Sequence, residues 1–292
     1  MLRSNSGFPV TTDFIIEKTR TVYTLPLLYE RLNEAINHPR SSIHDISGII
    51  MEDQGLTTRL LKLANSPVFG CYSKVDSITR AVTIIGTQQV RDLALAASVV
   101  GVFRGIPEGL MSMPSFWKHS IACGIIARTL ALHRREANVE RYFVSGLLHD
   151  VGQVVMVAVC PELTLEVLEC HSGSGRLYVE LEREHLGFDH ADLGGALLRK
   201  WKIPNSITEP VALHHLPGAA EQFRSEASLI HLADIICQAM GFGQGAEHTV
   251  MPLDEQAWDR LGFPPQMLST IVAQSEPLID ETFSILSGEA DA

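Results

Sequence analysis

Apolar residues recur at helical spacing along nearly the whole chain, and strand-type alternation is almost absent. Leu28, Leu32 and Ile36 stand at i, i+4 and i+8 behind Thr24, a candidate N-cap followed by Leu25 and Pro26. Ser42 and Asp45 have capping-box spacing ahead of Ile46, Ile49 and Ile50. Leu60, Leu61, Leu63 and Ala64 form an apolar helix face that stops at Asn65-Ser66-Pro67, because proline disfavours a helical residue before it. Ser77 caps a short helix ending at Gly86, and Thr87 opens a long apolar helix reaching about Phe103. After the breaker cluster Gly105, Pro107, Gly109 and Pro114, the pattern predicts helices over about 115–132, 139–148, 153–170 with a break at Pro161, 176–185, 190–201, 205–213 and 226–240. Two or three short helices follow around Trp258, Met267 and Leu278. Val154–Val159 is rich in β-branched residues, but no second strand exists to pair with it, so it reads as buried helix. The predicted fold class is all-α.

A chain of 292 residues can bury a core without disulfide or metal staples. Its five cysteines are scattered, include no C-x-x-C pair, and mostly sit in apolar helical text as small hydrophobes. With 23 Lys+Arg against 34 Asp+Glu, the net charge of −11 opposes binding to a nucleic acid backbone, so a nucleic acid polymer is not an expected partner. The first residues, Met-Leu-Arg-Ser-Asn-Ser-Gly, lack an apolar leader. The longest near-apolar stretch, Leu93–Phe103, falls short of the roughly 20 residues a spanning helix needs. A cytoplasmic protein without a membrane span is expected.

The compositional oddity is histidine. There are 12, and nine fall between His119 and His231. His149-Asp150 is an adjacent imidazole–carboxylate pair at a helix end, followed by Gly152. Alone such a dipeptide carries little weight. It gains weight from His119 before it, and from His190, His214-His215 and Asp234 after it, on or beside different helices, as a site in the core of a helical bundle requires. The mixed nitrogen and oxygen donors, with no thiolate, suit Fe, Mn, Mg, Co or Zn. Asp234 is the least ordinary of the set, since a lone carboxylate in an apolar helix is costly unless paired or metal-bound.

At those residues the chain resembles the HD superfamily of metal-dependent phosphohydrolases. Asp53-x-x-Leu56-Thr57, Leu61-Lys62-Leu63-Ala64-Asn65-Ser66-Pro67, Ser77–Val82 and Ile85-Gly86 are similar to the first half of the HDOD domain of bacterial signalling proteins. His149-Asp150-Val151-Gly152, Leu186–Ala191, Trp201-Lys202-Ile203-Pro204, His214-His215 and Ala233-Asp234 extend the resemblance over roughly residues 20 to 240. It implies an N-terminal tail (1–19), an N-terminal helical half (20–110), an HD-like metal-site half (111–240) and a C-terminal helical extension (241–292). It also implies a metal held by His119, His149, Asp150 and Asp234, with His190, His214 and His215 at places where HD-GYP phosphodiesterases hold a second or third ion. If the chain were an enzyme, Asp150 would be the bridging ligand.

Three positions depart from the HD-GYP pattern. Gln153 stands where that branch has a substrate-gripping Lys, Leu216-Pro217-Gly218-Ala219 replaces the acidic residue and Gly-Tyr-Pro, and Ser115 stands where a Glu is often found. The favoured expectation is a signal-transduction regulator that binds metal and a small ligand, with weak or absent catalysis and signalling proteins acting in trans. The alternatives are an active phosphohydrolase on a nucleotide phosphoester and a non-catalytic interaction scaffold. Asp189 reads as the N-cap of the helix starting at His190. His133, His171 and His248 read as solvated, and His185 and His231 as outside the ligand set or supporting it. Phe188 and Trp201 read as core, and the charges from Glu180 to Glu184 as a solvated helix face.

Overall fold

The structure, a computed structural model, describes residues 11–19, 25, 27–70, 74–103, 109–242 and 250–288. Among the described residues there are helices and no strands. The order is α1 (Thr12–Lys18), α2 (Leu27–Asn37), α3 (Ile43–Met51), α4 (Gln54–Asn65), α5 (Ile78–Ile85) and α6 (Thr87–Val102). Then come α7 (Met113–His133), α8 (Glu140–Leu148), α9 (Val151–Val159), α10 (Pro161–His171) and α11 (Tyr178–Leu186). The chain closes with α12 (His190–Lys200), α13 (Asn205–Ala212), a 3-10 turn at Pro217–Ala219, α14 (Arg224–Ala239), α15 (Glu255–Leu261) and α16 (Met267–Ser287).

Local chemistry sets these boundaries much as the sequence implies. Ser42 and Asp45 form a reciprocal capping box on α3, and Ser77 caps α5, which ends at Gly86 with φ 104°. Asp189 caps α12 with Asp192 as its capping-box partner. The β-branched Val154–Val159 stretch is helical, inside α9. The candidate cap Thr24 and His248 lie outside the described residues. Two features differ from expectation. Within the expected tail, α1 is capped by Thr11 and buries Ile15 and Ile16 against α12. The last two expected short helices are one, α16, running through Pro277. Proline removes one helical hydrogen bond, and α16 retains its course because it packs lengthwise on α7.

One hydrophobic core runs through the chain from Ile15 to Leu286, and it includes the expected core residues Phe188 and Trp201. Phe69 packs edge-on against Phe143 of α8 at 5.4 Å, and the Arg128 guanidinium of α7 lies over the same Phe69 ring. These contacts join the segment after α4 to the α7–α8 pair. Asn65 fastens this region from the other side: its side-chain amide donates to the Val75 carbonyl at 2.7 Å, and its oxygen accepts from the Val75 N–H at 2.8 Å. Asn65→Ala should therefore cost about 2 kcal/mol, from the two lost hydrogen bonds to Val75 and a third to the Leu61 carbonyl, read as a shifted denaturation midpoint.

The helices that matter most for the site meet at glycines. A Cβ on Gly124 of α7 would stand 2.6 Å from the Phe143 carbonyl oxygen, and one on Gly146 of α8 would stand 2.7 Å from the Gly124 backbone. The two backbones are thus in contact, and the close approach draws His119 toward His149. The window Glu140–Val159 is long and apolar enough to span a bilayer by composition, but 83% of it is buried in the protein. It is interrupted by the α8–α9 corner at His149 and Asp150.

Candidate metal centre

All seven candidate residues converge. His119 comes from the first third of α7, His149 and Asp150 from the α8–α9 corner, His190 from the first position of α12, His214 and His215 from the segment after α13, and Asp234 from α14. His119 Nε2 lies 3.2 Å from His149 Nε2, 3.4 Å from Asp150 Oδ2 and 3.3 Å from Asp234 Oδ1. His149 Nε2 is 3.3 Å from the same Asp150 oxygen and 3.5 Å from the same Asp234 oxygen. The second Asp150 oxygen faces the other way, 3.1 Å from His190 Nε2 and 3.8 Å from His214 Nε2. His215 Nε2 completes that side, 2.8 Å from His190 Nε2. The seven side chains form two donor groups, one of His119, His149 and Asp234 and one of His190, His214 and His215, with an Asp150 oxygen in each; His214 also stands within 4.8 Å of the ligand atoms of His149 and Asp234.

The outward ring nitrogens are tied down. Nδ1 of His149 bonds the Gly146 carbonyl at 2.7 Å, that of His214 the Val211 carbonyl at 2.7 Å, and that of His119 the Phe242 carbonyl at 2.6 Å. A carbonyl accepts only from N–H, so each of these rings keeps its proton on Nδ1 and presents Nε2 inward. This is the arrangement that orients metal-binding imidazoles. Two inward atoms, His214 Nε2 and Asp234 Oδ1, are buried with no hydrogen-bond partner. Most spacings within the groups, 3.1–3.5 Å, are those of ligands sharing one ion at bond lengths of about 2.0–2.2 Å. The residues present therefore fit a divalent metal.

The electrostatics agree. Burial opposes a proton on His119, His149 and His190. It is outweighed by Cys237 with Asp150 and Asp234 at His119, by Asp150, Cys123 and Asp234 at His149, and by Glu182 and Asp150 at His190, so all three titrate well above the usual imidazole value. Burial likewise works against charge on Asp150 and Asp234, yet the surrounding imidazoles hold both well below the ordinary carboxylate range. His214 is pushed down to about 4 by burial and the neighbouring His149, and His215 is lowered too, by burial and His214. Positive charge is wanted at the centre, and too many imidazoles compete to carry it as protons. A bound cation relieves that competition.

The charge pattern Glu180–Glu184 implies a solvated face, and Glu182 departs from it. Its side chain is 0% exposed, and Oε2 accepts from both the backbone N–H (3.1 Å) and Nδ1 (2.6 Å) of His190. The period of the charges alone places Glu180 and Glu184 outward; only the packing of α11 beside the start of α12 turns Glu182 inward. Glu182→Gln should weaken metal binding by the second donor group about 10–100-fold while leaving the group around His119 loaded, measured as metal stoichiometry against a competing chelator.

The remaining histidines sort plainly. His185 contacts the Leu181 carbonyl and Cys170 and stays outside the centre. His231 donates to the His214 carbonyl and accepts from the Asp254 N–H, so it supports the segment carrying two donors. His133 is exposed beside Gln274. His171, expected to be solvated, is half-buried and lines a cavity above the centre. That cavity, about 490 Å³, reaches His119, Asp150, His190, His215 and Asp234 at its floor, and Gln153 and Ser115 lie in its wall.

Comparison with known proteins places the chain in context. The HDOD domain profile matches residues 22–217. A curated protein of Treponema pallidum, itself uncharacterised, is 26% identical over 281 residues. The match takes in 95% of this chain but 51% of that protein, so the chain spans about half the length of the relative. Among solved structures, an HDOD domain protein of unknown function from Geobacter sulfurreducens superposes with a TM-score of 0.72 at 23% identity, covering 94% of this chain and 96% of the other. A candidate phosphohydrolase from Shewanella amazonensis gives 0.65 at 23% identity over 95% and 93%. A candidate signal transduction protein from Marinobacter aquaeolei gives 0.70 at 20% identity over 93% and 61%. At these identities the likeness extends to the fold alone.

Proposed function

Because the chain belongs to the HDOD domain family, we propose that it is a bacterial signal-transduction regulator that holds divalent metal in the His/Asp centre and, through it, a small phosphate-bearing ligand. The observation that carries this reading is the convergence of seven donors, six of them buried and His215 half-buried, with two inward atoms left unpartnered. His119, His149 and Asp234 would hold one ion and His190, His214 and His215 a second, with Asp150 offering an oxygen to each. Metal in such a pair supplies Lewis acidity toward a phosphoryl oxygen and lowers the pKa of bound water. The chain's own residues do the rest. The tied Nδ1 atoms hold the rings in register. Signalling partners would act in trans on the outer surface.

One observation favours a second reading, a metal-dependent phosphohydrolase: Asp150 faces both donor groups, as a bridging ligand in a hydrolytic two-ion site would. Against it, Gln153 in the cavity wall offers an amide where a phosphate-gripping cation is expected. Elemental analysis of untagged protein, followed by turnover assays with phosphoesters, tests both readings. Metal at one or two equivalents with little or no hydrolysis is expected. Efficient hydrolysis would replace the regulator with the enzyme, and protein that stays metal-free in excess Mn²⁺ would sink both.

A further inference from the structure

The cavity above the centre has a chemical asymmetry that bears on what it binds. Its floor is made of metal-site donors, and its upper wall is largely apolar, with Val157, Leu168, Leu177 and Met251 facing the space. Among the described residues lining it there is no Lys or Arg. The polar side chains of the wall are hydroxyls, amides and the half-buried His171. Two of them point to a ligand. The Tyr178 hydroxyl and the Gln153 amide both line the cavity, and neither has a hydrogen-bond partner among the described residues. The Tyr178 ring is half-buried and its centroid lies 6.4 Å from that of His190 and 5.6 Å from that of His171, which places the phenol beside the second donor group. These two groups have hydrogen-bonding capacity to offer a ligand, and an apolar wall gains by being covered. A second anionic group on a ligand would meet neither a metal nor a described cation in this wall, and burying it unpaired is costly.

We propose that the cavity takes a ligand with a single phosphate-type head on the metal centre and an uncharged, apolar or aromatic body against the Val157–Leu168 wall, with the Tyr178 hydroxyl as a donor to the head. The volume of about 490 Å³ falls within the range of small-molecule sites, about 300–1,000 Å³. This inference rests on the metal-plus-phosphate reading above and narrows it to a ligand class. Multiply charged ligands such as polyphosphates or cyclic dinucleotides are disfavoured.

Three phosphonates, whose P–C bond survives any hydrolase activity, test it by calorimetric titration of the full chain loaded with Mn²⁺. Methylphosphonate presents the head alone, phenylphosphonate adds a neutral body, and 4-carboxyphenylphosphonate adds a second anion to that body. Phenylphosphonate should bind at least about tenfold tighter than methylphosphonate, and the carboxyl group should remove that gain. Leu168→Lys, which places a cation in the wall, should restore binding of the carboxylated probe. Tyr178→Phe should weaken phenylphosphonate about tenfold or more, the worth of one hydrogen bond to a charged group, with metal content unchanged. Equal affinity for all three probes, or tighter binding of the carboxylated one by the unmodified protein, overturns the proposed ligand class. An unaltered affinity in Tyr178→Phe overturns the role of that hydroxyl. If no phosphonate binds the metal-loaded protein, the phosphate-binding reading itself fails, and this one with it.

Discussion

Asp150→Ala is expected to leave the protein with almost no bound metal. Asp150 is the one side chain with an oxygen in each donor group: Oδ2 lies 3.4 and 3.3 Å from His119 and His149, and Oδ1 lies 3.1 Å from His190. Its removal takes a ligand from both ions at once and deletes a negative charge that offsets theirs. Loss of a supporting partner outside the metal's own ligands already costs about 10–100-fold in affinity, so loss of a shared ligand should exceed the upper end of that range. The metal-free fold suffers as well. The raised proton affinities of His149 and His190 depend on this carboxylate, and breaking a buried charge pair costs about 3–5 kcal/mol. Asp150→Asn keeps the shape and should lose metal equally while costing less stability. Elemental analysis and thermal melting on untagged protein separate the two effects. Full metal content in Asp150→Ala would remove Asp150 from the centre.

Gly152→Ala should be the most damaging glycine-to-alanine change among the described residues. A Cβ at this position would overlap the His190 carbonyl oxygen and crowd the Gly194 backbone N–H. Both obstacles are backbone, so no rotamer change relieves the clash, and α9 must move away from α12. A penalty of at least about 3 kcal/mol is expected, lowering the melting temperature by about 5–10 °C. The same displacement pulls His190 from Asp150, so occupancy by the second donor group should fall with it. This gives the spacing of His149, Asp150 and Gly152 a physical reason: two donors stand at the corner, and the glycine lets the third donor's helix come close. An unchanged melting temperature would show that α9 and α12 are not in backbone contact.

Most helices were legible because their signals are short-range. Capping boxes act over three residues, as at Ser42–Asp45 and Asp189–Asp192, and the proline stop after Asn65 acts over two. The unity of α16 was not legible, because Pro277 is locally a breaker and only packing along α7 overrides it. The same holds for α1, whose two buried isoleucines have meaning only against a helix more than 170 residues away in sequence, in register terms set by α12. In the site, donor identity could be read from residue type and family resemblance. Glu182 could not, since nothing in its local charge pattern distinguishes it from the exposed Glu180 and Glu184.

By itself, then, the sequence determined an all-helical chain, its helix ends, its family and the seven candidate donors, since each of these is written in residue type or in spacing over a few positions. The tertiary structure alone decided that the candidate donors gather in two groups with an oxygen of Asp150 in each, and that Glu182 is buried behind His190. It also shaped the apolar cavity above the centre. Those outcomes depend on which helix backbones can touch, at Gly124 with Gly146 and at Gly152 with the start of α12, and contact between distant segments is set by packing rather than by local propensity.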